Sequence, residues 1–516
     1  MAGIVLLLCL PVQAALDFTF VNVLCSVVAA IVTMATWTYA FGMRRLDTHP
    51  ISTLALLGLN FITLGMPIIF QTLFMRAITY NLQSPLLTFW ACATFTAVVL
   101  IAHLAFTHSR LLQGITALIS RRLWAPLWIF YPPSNFQLWL IGGTGFAATL
   151  LSKVVYGSTI EYGDVGGKFL QTFNPFIAAP FFMLFRGSLT LGRARHKRQF
   201  GLLLLYFVAI VVMAVLMNAR GVFASIMLLV LLSYGLALLS RRLVLSGRAL
   251  GYLCAAGIAL IPVMLAAQDL ATAMVIARQA RSTQNLSYVF RETVSAYGDK
   301  EALARYRKQN QQSLSTGGLS GYSEAYFESE FLGRLSITKF TDLTITVSRR
   351  FGASDRAYVR EVSMQQFVAQ LPTPALRLLG IDLDKRDFEF STGDVYEAIA
   401  SNRELGSRLT GSTVTTVRDL SPWLWPLIVI PFSLFVFVMT DSLVITIRGM
   451  WSLSVPGFML LPPIFQASLV GDSLSTSVGI VTRTLLTVII VYSVLLLIGR
   501  LFQLIVVEHA QVVRPS

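Results

Sequence analysis

Apolar runs of about 18–25 residues, separated by short polar connectors, dominate the chain. They fall at about 19–42, 51–75, 85–107, 136–156, 175–192, 200–217, 221–240, 249–267, 422–440, 450–469 and 478–503. About 20 residues at a 1.5 Å rise cross a roughly 30 Å hydrocarbon core, so each run predicts a transmembrane helix. Residues 1–15, "MAGIVLLLCLPVQAA", are open to two readings. They are a short first membrane helix, which we favour, or a signal peptide that lacks a basic n-region.

One polar stretch interrupts the series. The pattern divides the chain into N-terminal membrane helices (1–267), an insertion (268–421) and C-terminal membrane helices (422–516). Helical periodicity recurs within the insertion at 287–309, 322–347 and 355–371, with Gly/Ser-rich breaks such as "STGGLSG" (315–321) between. Its aromatics Tyr322, Tyr326, Phe327, Phe331 and Phe340 argue for a folded domain. The expected fold is an all-α polytopic membrane protein of about 11–12 transmembrane helices, with one large, mainly helical extracytoplasmic insertion.

Composition supports the membrane assignment. Of 516 residues, 55% are hydrophobic and 13% charged, with a mean hydropathy of +0.70. The net charge of +15 is unevenly placed: 268–422 holds 19 of the 40 basic and 18 of the 25 acidic residues. The basic excess therefore flanks the membrane runs, which is the positive-inside pattern and needs no nucleic-acid partner. Arg44-Arg45, Arg110 with Arg121-Arg122, "RARHKR" (193–198), "RRLVLSGR" (241–248) and Arg448 fall on one side by alternation. That side is assigned to the cytoplasm. The opposite side receives Ser158–Asn174 with Glu161 and Asp164, the hairpin Asn218–Gly221 and the whole insertion.

Several chemistries find no support. Cys9, Cys25, Cys92 and Cys254 lie in apolar runs, so neither a disulfide framework nor a thiolate metal site is expected. The five histidines all lie outside the insertion, and His103 and His108 read as interfacial residues. There is no phosphate-binding glycine loop and no clustered carboxylate pair in the early extracytoplasmic connectors, so no cofactor and no metal are expected.

Arginine is the distinctive chemistry. Arg220 sits at the tip of a tight hairpin, "VLMNARGVFASIMLLVLL" (215–232). Arg291, Arg305, Arg307, Arg334, Arg349, Arg350, Arg408 and Arg418 are spread through the insertion. A guanidinium fork matches phosphate oxygens bidentately. Most loop arginines serve only in surface pairs, and Glu330 with Arg334 has the spacing of one, worth about 0.2–0.5 kcal/mol. Arg220 is either a snorkelling interfacial cation or a site residue. The stretch 402–430 leads into the next span through Gly406, Gly411, Thr410, Ser412 and Thr413, whose hydroxyls could line a sugar, with Trp423 and Trp425 as interface anchors.

"NARGVFASIMLLVLL", the late insertion holding "ESEFLGRLSITKFTDLTI" (328–345), and "TGSTVTTVRDL" (410–420) together resemble the Wzy-type O-antigen polymerases over roughly 130–440. The resemblance implies a GT-C-like, metal-independent glycosyltransferase of the bacterial inner membrane with its large loop in the periplasm. Its substrates would be oligosaccharides on undecaprenyl diphosphate, polymerised into an O-antigen or exopolysaccharide. Membrane lipid, a chain-length regulator and a flippase would be its neighbours. Under that resemblance Arg220, Arg334, Arg291 and Arg418 are candidates for the diphosphate, and Thr410, Ser412 and Thr413 for the sugar. Glu324, Glu328, Glu330 and Asp342 are candidates for the base, and the sequence does not choose among them. Two alternatives stay open. One is the O-antigen ligase, whose family carries a periplasmic histidine that this insertion lacks. The other is a lipid-linked oligosaccharide flippase, against which the absence of internal repeats counts.

Overall fold

In the computed structural model the described residues are 2–156, 165–190, 199–217, 220–240, 242–243, 269–270, 272–277, 286–306, 326–327, 333, 335–371, 373–385, 390–401, 405, 410–447 and 449–512. The predicted span 249–267 lies outside them, as do Glu324, Glu328, Glu330, Arg334 and Arg307.

Helix α1 (Ala2–Leu16) packs on α2 (Phe20–Gly42) and on α3 (Pro50–Leu73). Next come α4 (Pro85–His108), the short α5 (Arg110–Leu118) and α6 (Asn135–Tyr156). Prolines stand at the first position of α3 and α4, where no intrahelical donor is lost. α7 (Val165–Gln171) leads to a 3-10 stretch, Asn174–Phe181, and then α8 (Phe182–Leu189). α9 (Phe200–Leu216) and α10 (Arg220–Leu239) form the hairpin whose tip the sequence singled out. Among the described residues six helices are long and apolar enough to cross a membrane: α2, α3, α4, α6, α10 and the final Leu474–Ile505 segment. The chain is thus a helical protein with several membrane-length helices, which agrees with the coarse expectation.

Two predicted spans are not continuous helices. Residues 174–189 divide at Pro180, and 450–469 becomes a strand followed by two short helices, cut by Pro456, Pro462 and Pro463. Most residues of both stretches are buried in protein. Irregular backbone survives at such depth only where protein covers it, which explains why apolar content misled the reading there.

From the insertion come α11 (Leu286–Gly298), α12 (Thr338–Ser348), α13 (Ala353–Ala369), α14 (Thr392–Ser401) and α15 (Thr413–Leu420). After them follow α16 (Trp425–Asp441), a hairpin of β1 (Val444–Ile447) and β2 (Met450–Leu453), and the short α17 (Val455–Met459) and α18 (Leu461–Ala467). β1 and β2 pair antiparallel, with Val444 opposite Leu453. α19 (Leu474–Gly479) runs through a π turn, Ile480–Thr484, into α20 (Leu485–Val512).

α3 is the central helix, with every residue from Pro50 to Asn60 buried. α18 lies so close that a Cβ on Gly58 would sit 2.0 Å from the Phe465 carbonyl oxygen, so only glycine fits there. Halfway along α3 a π turn, Phe61–Gly65, frees carbonyls that the insertion fills. Ser336 Oγ and Ile337 N–H donate to Ile62 O (3.2 and 3.3 Å), and Thr338 Oγ1 donates to Thr63 O (2.8 Å). The insertion is therefore seated in the helix bundle by α12, which packs on α4, rather than resting above it.

Two buried aspartates fix the helix ends. Asp342 of α12 takes the N–H groups of Gln83 and Ser84 (2.8 and 2.7 Å) and the Thr88 hydroxyl (3.2 Å), at the start of α4. Asp441, closing α16, takes the N–H groups of Ile51 and Ser52 (3.1 and 2.8 Å) and the Ser52 hydroxyl (2.6 Å), at the start of α3. Each supplies the anionic cap that a helix N-terminus favours. They define two ends. The insertion gathers around Asp342. Arg45, Arg121, the β1–β2 hairpin and Arg242, whose guanidinium donates to Trp451 O, gather around Asp441.

Candidate functional site

At the insertion end, Lys385 lies within the electrostatic reach of two cations from other elements, Arg483 and Lys168. Lys385 lies in the segment that crosses from α13 to α14, Arg483 lies in the π turn between α19 and α20, and Lys168 is on α7. Lys385 Nζ donates to Leu371 O at 2.5 Å. Partial burial, and then the fields of Arg483 and Lys168, pull its pKa below the ordinary lysine value. Arg483 is exposed and has no counter-ion among the described residues. An arginine one or two turns into a membrane helix is costly unless it reaches an interface or serves a ligand.

Beside these cations is a groove of about 360 Å³. α13 lends Tyr358, Glu361 and Gln365, while the loop before Lys385 lends Asp382 and Asp384. Its back wall is fixed: buried Gln366 donates to Phe390 O and accepts from the Thr392 hydroxyl, both at 3.0 Å. Tyr358 stays 49% exposed, so its ring is open to a ligand face. Carboxylates, amides and one open ring are groups that bind polyhydroxylated molecules. Asp382 and Asp384 share one loop with Lys385, so that cation follows directly on the groove wall.

α13 carries a second face. Arg360 Nε donates to Asp419 O (3.1 Å). The Asp419 carboxylate takes the Ser348 hydroxyl at 3.0 Å and the Tyr396 hydroxyl at 2.5 Å. Burial raises the Asp419 pKa, and these hydrogen bonds partly offset it. Asp472, between α18 and α19, accepts from the Gly411 N–H, yet burial and the nearby Asp394 push it up to about 6. A Cβ on Gly411 would meet Asp472 O at 2.6 Å, so this contact needs a glycine.

Of the described residues named from the sequence, Asp342, Ser412, Thr413 and Arg418 gather where α12 and α15 pack on α4, while Arg291 and Arg220 belong to α11 and α10. Asp342 is fully buried, and its oxygens are taken up by the start of α4 and by Lys339 Nζ at 3.6 Å, which leaves it no free face toward a substrate. Ser412 is buried against the Thr341 hydroxyl (2.8 Å), and Thr413 exchanges hydrogen bonds with Gly471 (2.9–3.0 Å). Ser412 with Thr341 and Thr415 with Thr344 (2.8 Å) pin α12 to α15, and Thr413 ties α15 to Gly471, so these hydroxyls face protein and not solvent. Thr410 is half-buried beside Gly411. Arg418 donates to Thr94 Oγ1 (2.7 Å) and lies over the Trp425 ring at 5.2 Å. Burial lowers its pKa. Arg291 is exposed on α11, which packs on α9, and Arg220 opens α10. Glu324, Glu328, Glu330 and Arg334 lie outside the described residues.

Sequence reasoning passed over Lys168, Lys385 and Arg483. Arg483 had a legible signal, as one of two charges in the last membrane helix. The other, Arg500, stacks on Trp128 (4.1 Å) and Tyr131 (3.9 Å), whereas Arg483 has no such ring among the described residues. Among the described residues no group of three or more His, Cys, Asp or Glu could hold a metal ion. No protein-family model, no curated protein and no solved structure matches the chain.

Proposed function

We propose that the protein is a membrane glycosyltransferase that polymerises oligosaccharide units carried on a lipid diphosphate, of the kind the Wzy resemblance implies. The observation that supports this best is the pairing of the Lys168–Lys385–Arg483 cations with the groove at Tyr358, Glu361, Asp382 and Asp384. A lipid-linked oligosaccharide is a membrane anchor, a diphosphate and a sugar in series. The membrane helix that carries Arg483, the cations and the groove supply surfaces in that order.

In the reaction, a hydroxyl oxygen of the incoming unit attacks the anomeric carbon of the growing chain. The bond to the diphosphate oxygen breaks, and the lipid diphosphate leaves with the electron pair. Fixed cations stabilise the charge that grows there. The hydroxyl proton passes to a carboxylate. Glu361, Asp382 and Asp384 join Glu324, Glu328 and Glu330 as candidates for it. On the positive-inside orientation this end faces the periplasm.

Deletion of the gene tests the reading. The surface glycan should collapse from a ladder to a single repeat unit. Long lipid-linked chains with a bare final acceptor would make the protein a ligase, and an unchanged ladder would remove it from this chemistry.

A further inference from the structure

The end opposite the insertion holds a larger cavity, about 510 Å³, between α3, α4, α5, α16 and the β1–β2 hairpin. This lies within the range of small-molecule sites, roughly 300–1,000 Å³. Arg45, His49, Thr107, Gln113, Arg121 and Asp441 are among its walls.

Its charge is unbalanced. Asp441 is spent on the start of α3 and on His49 Nδ1, 3.3 Å away. The other acid in the wall, Asp47, lies in the field of Arg242. Arg45 and Arg121 make no ion pair among the described residues. The Arg45 Nε is buried and has no hydrogen-bond partner, although its guanidinium is steered by the Tyr39 ring at 5.3 Å. Arg44, just before it, is held at φ 51°, a left-handed conformation that a non-glycine side chain adopts at a cost. An orphaned guanidinium donor costs free energy unless something occupies it.

The floor is rigid. Tyr39 donates to His103 Nδ1 (2.9 Å), His103 Nε2 lies 3.0 Å from Ser52 Oγ, and Ser52 Oγ donates to Asp441. Trp124 Nε1 donates to Ser442 Oγ (2.8 Å) and Ser120 Oγ to Val444 O (3.2 Å), which fixes the turn that carries Arg121. His103, read from the sequence as an interfacial residue, is instead fully buried in this floor.

We propose that this cavity is a binding site for a phosphate-bearing anion, held by Arg45 and Arg121 with His49 beside them. The same chemistry could arrive as a soluble phosphorylated molecule or as the headgroup of an anionic lipid. The inference is independent of the glycosyltransferase reading, since it uses none of that site's residues.

The test uses purified full-length protein in the Arg483→Ala background, so that the insertion end cannot supply the response. Thermal unfolding is followed in nanodiscs of phosphatidylcholine, with inorganic pyrophosphate titrated at constant ionic strength, and in nanodiscs that add phosphatidylglycerol. A saturable rise with pyrophosphate identifies a soluble ligand, and a rise with phosphatidylglycerol alone identifies a headgroup. Either should weaken at least about tenfold in Arg45→Gln/Arg121→Gln and persist in Arg110→Gln, a neighbouring exposed cation that does not line the cavity. No response to either probe, or equal responses in the two variants, would overturn the proposal. If the double variant fails to accumulate, Arg121→Gln alone, at an exposed position, carries the same comparison.

Discussion

Asp342 and Asp441 perform one task at opposite ends of the molecule. Each takes two backbone N–H groups and a hydroxyl at the start of a membrane helix, and each comes from a segment more than 250 residues away in sequence. Their surroundings differ. Asp342 is fully buried and its charge is met by Lys339, itself 2% exposed, which also donates to Asn81 O. Asp441 has no lysine or arginine partner among the described residues. It is met by His49, 16% exposed, and it lines a cavity. The same capping device is closed at the insertion end, where it seats α12, and open at the basic end, where it leaves room for a ligand. A buried carboxylate therefore marks structure or site according to whether its counter-charge is sealed in with it.

The largest expected effect comes from breaking the closed cap. Asp342→Ala strands a buried ammonium and two amides, and it should cost about 3–5 kcal/mol, seen as lost folded protein in the membrane. Asp441→Ala should cost less, about 1–3 kcal/mol, because the cavity lets water reach the freed amides. Equal losses in thermal unfolding would remove the distinction between the two ends.

A third aspartate sharpens the comparison, because among the described residues Asp472 pairs with neither lysine nor histidine. Its folded pKa of about 6 is above the ordinary value near 4. Between those values the folded state binds more protons than the unfolded one, so stability should fall as pH rises from about 4 to 6. The loss is of order 2 kcal/mol. Unfolding measured at pH 4.5 and 7 should show this difference in the wild type and not in Asp472→Asn. The smallest effect lies in the hydroxyl seam. Thr415→Val should cost about 1 kcal/mol by leaving the Thr344 hydroxyl a partner short, and Thr344→Val/Thr415→Val should recover part of it. A double variant worse than the sum would show that the seam does more than pack.

Much of the bundle was legible because a bilayer demands long apolar helices, and α2, α3, α4, α6 and α10 follow the runs closely. Pro180, Pro456 and Pro462 broke two other runs, since a proline in a buried stretch can be accommodated by neighbouring protein that the sequence does not display. The insertion's helices at 286–298 and 353–369 followed their periodicity. The seating of its polar α12 against α3 is not legible, because nothing local reveals that Ser336 and Thr338 meet carbonyls freed by a π turn 270 or more residues earlier. The candidate site was the least legible. Ser412 and Thr413 have the composition of a sugar-lining strand but spend their hydroxyls on Thr341 and Gly471. Lys168, Lys385 and Arg483 are far apart in sequence, and only folding brings their fields together.

The central claim is that a lipid-linked diphosphate lands at Arg483. The most direct measurement is the chain-length distribution of the surface glycan in cells where Arg483→Ala replaces the wild type at equal membrane abundance. Removing one transition-state cation should slow polymerisation at least about tenfold. The ladder should then shorten toward one repeat, with partial recovery in Arg483→Lys and no change in Arg110→Ala at the other end. A full-length ladder in Arg483→Ala would contradict the account.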